Sequence, residues 1–285
     1  MKSVETTVVY GQSKKLGIYA VASAVNAIAA NGAKNISVSV RIMIPMHAFK
    51  SRINTMEKNI KLICKEKGIV LKEIISERNP VITQCMVIAS AWGMDKCTDE
   101  VMADAKDIIL TKWIGMEGML RIADEKEEDL RKRFAPGFIK QIHSHEAQIF
   151  ALEEVWKARE LGATRIWQVG VGGILAALWN VAKEMESGIE IDLKKLEVRQ
   201  ETIEVCEYFR LNPYQLTSTG SMLILAEDGE VMAEALRETG VQATVIGRLT
   251  DNNDKIIRNG EEVRYIDRPA PDEIMKIYGG EDRTC

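Results

Sequence analysis

ISVSVRIMI, residues Ile36–Ile44, decides the reading of the first half of the chain. Ile36, Val38, Val40, Ile42 and Ile44 fall on alternate positions, with Ser37, Ser39, Arg41 and Met43 between them. A period of two places one set on one face of a strand and the second set on the other. Pro45 ends the run. Upstream, Val4–Tyr10 predicts a strand, and Lys15–Asn31, rich in Ala with Val21, Val25 and Ile28 on one face, predicts a helix suited to close packing on a sheet. Downstream, Phe49, Ile53, Met56, Ile60 and Ile63 recur at steps of four and three, an amphipathic helix closed by Gly68. Strands over Val70–Ile75 and Val81–Ala91 follow.

The polar stretch GMDKCTDEVMADAK, Gly93–Lys106, reads as a boundary. Two units are expected, 1–98 and 99–285, in line with about 150 residues per domain for a chain of 285 residues. The second unit opens with a strand over Asp107–Thr111. Helices over Asp124–Phe134, Glu146–Leu161, Ile174–Glu186, Arg199–Phe209 and Glu230–Thr239 alternate with strands over Ile189–Leu193, Ser221–Ala226 and Gln242–Leu249. Asn259-Gly260 marks a hairpin. Strands followed by helices packed on one side of mixed sheets give an α+β fold class.

Composition narrows function only by exclusion. The 38 basic and 42 acidic residues give a formal net charge of -4, which argues against nucleic-acid wrapping and against a polybasic membrane surface. No apolar run reaches the ~20 residues of a membrane span. No apolar segment of a leader follows Met1, and the five cysteines include no C-x-x-C pair, so a reducing cytoplasm is the expected location.

Three stretches carry more than composition: DIILTKWIGMEGMLRIADEKEEDLRKRF (Asp107–Phe134), GGILAALWNVAKEMESGIEIDLKKLEVRQETIEVCEYF (Gly172–Phe209), and LNPYQLTSTGSMLILA (Leu211–Ala226), which runs on through EDGEVMAEALRETGVQATVIGRLT. All three resemble the AIR synthase superfamily, and most its hydrogenase maturation branch, which includes a carbamoyl dehydratase. LGIYAVASAVNAIAANGA (Leu16–Ala33) resembles that family's first helix. The resemblance implies two α+β domains: an N-terminal sheet forming a barrel-like dimer interface, and a C-terminal mixed α/β sandwich. It also implies ATP and magnesium in a cleft near the partner subunit. The partner would be a second copy or a catalytic paralogue.

Several positions depart from the family pattern. The N-terminal Gly-Asp-Asp-like motif has no counterpart. The Asn-Asp pair of the first helix reads Asn26-Ala27, and the Gly-Gly-Asp/His-Thr turn reads Ile75-Ser76-Glu77-Arg78-Asn79. The His-Asp-x-Thr-Glu-Gly-Gly motif reads Trp167-Gln168-Val169-Gly170-Val171-Gly172-Gly173. Magnesium takes hard oxygen ligands, so losing these acids alters the phosphate chemistry. The resemblance leaves Asn26, Glu77, Gly172 and Gly173 as nucleotide-binding candidates and assigns no resident metal ligand.

It also singles out Cys285. In the dehydratase a mobile tail ends in a cysteine that carries the carbamoyl group, and residues 278–285 (YGGEDRTC) resemble that tail. Two readings stay open: ATP-dependent activation of a carbamoyl or amide group on Cys285, or a catalytically degenerate paralogue acting as a binding or scaffold subunit. Two other groups have both a bland and a chemical reading. Ser218-Thr219-Gly220-Ser221 is either a turn or an anion site. His143, His145 and Glu146 are either a polar helix start or metal ligands and a general base. Cys64, Cys85 and Cys206 read as small buried apolar groups.

Overall fold

The computed structural model describes residues 2–95 and 105–278. Cys285, most of the expected tail and the boundary near residue 98 lie outside the described residues.

The first half runs β1 (Lys2–Gly11), α1 (Leu16–Ala30), β2 (Ala33–Pro45), α2 (Lys50–Glu66), β3 (Val70–Asn79) and β4 (Cys85–Asp95). These strands form a four-stranded sheet in the order β1-β4-β2-β3. β2 and β3 are parallel neighbours because α2 returns the chain across one face, whereas β4 pairs antiparallel with both β1 and β2. The alternation along β2 is realised, with Ile36, Val38, Val40, Ile42 and Ile44 all buried. They face α1, whose small side chains let it lie close on the sheet.

Among the described residues, no helix lies against the opposite sheet face. Cross-strand pairs Val4–Trp92, Val8–Ile88, Met43–Met86 and Arg41–Ile75 stand on it, and Val4, Val8 and Ile75 are exposed.

The second half runs β5 (Asp107–Thr111), α3 (Met116–Glu125), α4 (Glu127–Arg133), α5 (Pro136–His143), a 3₁₀ turn (Glu146–Ile149), α6 (Leu152–Glu160), β6 (Arg165–Val169), α7 (Gly173–Glu184), β7 (Gly188–Asp192), α8 (Gln200–Phe209), β8 (Ser221–Ala226), α9 (Gly229–Glu238), β9 (Ala243–Thr250), β10 (Lys255–Asn259), β11 (Glu262–Tyr265) and α10 (Met275–Tyr278). A seven-stranded mixed sheet has the order β11-β10-β7-β9-β5-β8-β6. Its central strands are buried on both faces. Ile109 and Ile224 join one core, while Ile108, Leu110, Leu223 and Leu225 join the other with α7. The first of these cores also contains Val9, Leu16 and Val25, so apolar packing is continuous from the small sheet to the large one. No helix among the described residues is long and apolar enough to cross a membrane.

The elements depart from expectation in three places. α3 begins eight residues earlier than the expected helix, because MEGMLRIA is buried all round and shows no contrast between faces. Pro136 starts α5 as a separate helix, since its fixed φ and missing N–H suit a first turn. The single helix expected over Glu146–Leu161 is broken at Phe150, whose backbone is extended. Asn26 fastens this break: its Nδ2 donates to Ile149 O at 2.7 Å and its Oδ1 accepts from Ala151 N at 2.9 Å.

Candidate functional site

The chemistry-bearing side chains gather along the seam between the two sheets, and α3 supplies most of them. Glu117, Arg121 and Asp124 or Glu125 recur at steps of about one turn, so they share one face of the helix. Arg121 and Glu117 are both buried and pair at 3.0 Å. Arg121 Nη2 also donates to Tyr10 O at 2.7 Å and to the Tyr278 hydroxyl at 3.2 Å. The rings of Tyr10 and Tyr278 each lie within 6 Å of the guanidinium, a favourable place for a desolvated cation. Burial opposes the charge on Arg121, yet Glu117, Tyr278 and Glu125 together raise its pKa. The second Glu117 oxygen accepts from Thr217 Oγ1 at 2.8 Å and Thr219 N at 3.3 Å. Tyr278 donates to Glu125 at 3.1 Å.

The segment from Ile266 to Tyr278 straps this seam. Its Asp272 is buried and serves three backbone donors. Oδ2 accepts from Gly172 N at 2.7 Å, and Oδ1 accepts from Thr217 N at 3.2 Å and Ile274 N at 3.0 Å. A carboxylate of the chain itself therefore sits at the N-terminus of α7, where positive backbone charge favours an anion. Burial raises the Asp272 pKa; the three backbone bonds offset only part of that. The glycines are needed at this turn for two reasons. Gly172 and Gly173 have φ of 81° and 67°, a region costly to residues with a Cβ. A Cβ on Gly173 would also come within 2.6 Å of Tyr214 O.

The serine-threonine turn is held from within. Ser218 Oγ accepts from Gly115 N at 2.6 Å and donates to Leu216 O, while Ser221 Oγ donates to Trp113 O. These bonds are those of a turn opening β8.

A second cluster lies at the start of α1. His143 Nδ1 faces Glu146 Oε1 at 2.7 Å and Asp124 Oδ1 at 3.8 Å. Lys15 reaches the same two acids, Asp124 at 3.2 Å and Glu146 in close contact. Asp124 Oδ2 is held apart by Tyr19 OH at 2.9 Å and Ser13 Oγ at 2.8 Å. The hydrogen bond to Glu146 raises the His143 pKa, with burial and Lys15 opposing. His145 turns away: it is buried edge-on to Trp113, with Nε2 at 3.4 Å from Glu201. Of the expected trio the structure brings His143 and Glu146 together and sends His145 elsewhere.

The expected nucleotide residues do not converge in the same way. Asn26 is engaged by the backbone at Ile149 and Ala151. Glu77 pairs with Met43 across β2 and β3, on the open sheet face, 3.9 Å from Arg41. Gly172 and Gly173 border the Asp272 turn, whereas Asn26 crosses between the two halves elsewhere, at Ile149 and Ala151. Cys64, Cys85 and Cys206 are buried as expected, and burial pushes the thiols of Cys64 and Cys206 up to about 11 and about 12. Glu117, Arg121, Asp124, Asp272 and Tyr278 were not anticipated. The one available signal was a charged stripe inside the otherwise apolar GMEGMLRIADE.

With this geometry in place, a match over residues 108–259, just over half of the chain, to the family of AIR synthase related protein, C-terminal domain, is decisive. The chain belongs to the AIR synthase related family. A putative hydrogenase expression/formation protein of Methanocaldococcus jannaschii is 24% identical over 277 residues, covering 92% of this chain and 78% of that protein. Among solved structures, the hydrogenase maturation protein HypE of E. coli superposes with a TM-score of 0.76 at 15% identity, covering 97% of this chain and 89% of that one. A HypE in complex with ATP superposes with a TM-score of 0.71 at 12% identity, covering 96% of this chain and 87% of that one. At these identities the structures establish the two-domain AIR synthase-like fold.

Proposed function

We propose that this member of the family is a binding subunit of a hydrogenase-maturation-like system, and that the magnesium–ATP chemistry of its relatives is not carried by its own side chains. One observation carries the reading: the Asp272 carboxylate fills the N-terminus of α7 and the glycine turn. A phosphate there would meet a buried negative charge rather than free N–H donors. Three further facts support it. Ala27 offers no ligand atom, Asn26 is held by backbone, and Gln168 donates to Ser23 O at 3.1 Å in place of the family acids. Magnesium–ATP does not fit this donor set, because Asn26, Ala27 and Gln168 supply no carboxylate to hold and neutralise the ion.

Partner binding would use the open face of the small sheet. By strand register Val8, Ile88, Met86 and Met43 stand together there, and Val4 and Trp92 lie beyond the hydrogen-bonded Thr6–Ser90 pair. An exposed apolar sheet face of this kind marks an interface. The occupant is a second copy of this chain or a related subunit, and Arg41 and Glu77 at its edge would set register. Light scattering on the purified chain tests this: a dimer, or a heterodimer on adding the paralogue, is expected. A strict monomer in both mixtures would remove the reading.

A second reading is favoured by one specific observation. Tyr278 is clamped by Arg121 and Glu125 at the seam, and Cys285 follows seven residues later. Seven residues span at most about 25 Å, so the thiol is tethered within reach of the seam, as a carrier of a carbamoyl or amide group requires. Mass spectrometry of the chain after incubation with a carbamoyl donor system tests it. A carbamoyl adduct lost in Cys285→Ser supports the carrier role; an unmodified Cys285 removes it.

A further inference from the structure

Asp124, His143 and Glu146 each present one ligand atom, and the three atoms lie within 4.8 Å of one another. Asp124 comes from α3, His143 is the last residue of α5 and Glu146 opens the 3₁₀ turn. Three features set the group apart from a surface cluster of acids. It contains an imidazole. Asp124 is nearly buried, with a side-chain exposure of 8%, and its Oδ2 is oriented by Tyr19 and Ser13 so that Oδ1 points at the other two ligands. A cation already stands among them, the Lys15 ammonium, which touches both acids. Two carboxylates around one ammonium and one imidazole leave the site one negative charge in excess when His143 is neutral.

We propose that these three side chains form a binding site for a divalent transition-metal ion, for which Lys15 is the built-in competitor. One imidazole with two carboxylates is a donor set that suits Zn²⁺ and its first-row neighbours. Ligand atoms about 2.0–2.2 Å from a tetrahedral ion stand about 3.3–3.6 Å from one another, so His143 and Glu146, now 2.7 Å apart, open slightly while Asp124 Oδ1, 3.8 Å from His143, closes slightly. Lys15 is partly exposed, so its ammonium can leave to solvent while the ion takes its place. Tyr19 and Ser13 then act as the outer partners that fix the Asp124 carboxylate. The three ligands belong to the second half of the chain and Lys15 to the first. Binding the ion therefore trades a cross-seam ion pair for a metal centre. This site is independent of the function proposed above, since it shares no ligand with the Asp272 turn.

The test uses the full chain, stripped with a chelator and dialysed against Zn²⁺, with bound metal counted per chain. Cysteines elsewhere can also take zinc, so the comparison is between variants sharing all five cysteines. His143→Ala is expected to bind one zinc fewer than the parent chain. Lys15→Met is expected to bind the same ion on the order of tenfold tighter, because the competing charge is gone. Tyr19→Phe is expected to weaken binding roughly tenfold. His143 is partly exposed, so its alanine variant should fold, and circular dichroism checks this. An unchanged zinc count in folded His143→Ala, or a Lys15→Met chain that binds no more tightly than the parent, overturns the proposal and leaves the cluster as a permanent lysine ion pair.

Discussion

Replacing Asp272 with alanine removes the acceptor for Gly172 N, Thr217 N and Ile274 N together. Each buried donor left without a partner costs about 1–3 kcal/mol. Water entering the vacated space satisfies part of this, and the wild-type carboxylate is itself penalised by burial. The net expectation is therefore a loss of about 3–4 kcal/mol. Asp272→Asn should cost less, about 1–2 kcal/mol. Its Oδ1 keeps the bonds from Thr217 and Ile274, and only the Gly172 N–H meets an NH₂ donor. Chemical denaturation of both variants measures the difference.

The pH dependence gives a second handle on the same residue. Burial raises the Asp272 pKa above its unfolded value of about 3.9. The folded state then binds the proton more tightly, so this group's stabilising contribution is fullest below the unfolded pKa and falls as pH rises through the raised folded value. Asp272→Asn has no such group. The stability gap between wild type and Asp272→Asn should thus narrow from about pH 4 toward neutrality. An Asp272→Ala chain within about 1 kcal/mol of wild type, or a gap that widens over that pH range, would refute the idea that the strap carboxylate holds the glycine turn.

Other consequences follow from the same contacts. Glu117→Gln leaves buried Arg121 without its counter-charge and should cost about 3–5 kcal/mol, whereas the double variant Glu117→Leu/Arg121→Met should cost less, about 2–3 kcal/mol, because Thr219 N and Tyr10 O lose partners but no charge is left unpaired; denaturant midpoints compare them. Gly173→Ala should cost several kcal/mol or prevent folding, because φ is positive and the Cβ would press on Tyr214 O. Gly68→Ala, also at positive φ but facing open space, should cost only about 1–2 kcal/mol. Val8→Glu places a charge on the edge strand of the open sheet face and should shift the proposed dimer to monomer in light scattering, with thermal stability of the monomer little changed; a Val8→Glu chain that still dimerises would place the interface elsewhere.

Periodicity exposed some elements and concealed others for physical reasons. β2 was legible because one of its faces is buried and the other is open, which writes a period of two into the side chains. α3 was not, because a helix buried on every side loses its polar stripe to the core, and Glu117 and Arg121 are buried there by pairing with each other and with Thr217, Thr219, Tyr10 and Tyr278. His143 and His145 are adjacent in the pattern but opposite in space, since two residues along a helical turn rotate the side chain by about 200°. Asn26 stood at a motif position, yet its use as a fastener for the Phe150 break depends on a residue more than a hundred positions away. The same holds for Asp272: no local signal in PDEIMKIY tells that its carboxylate caps a helix a hundred residues upstream.

The most direct test of the central claim is calorimetric titration of the full chain with ATP, with and without magnesium. The account predicts no saturable heat up to about 1 mM nucleotide in either condition, and a first sign of anion binding only when Asp272 is replaced by alanine. Saturable, magnesium-dependent binding by the wild-type chain at micromolar ATP would contradict it.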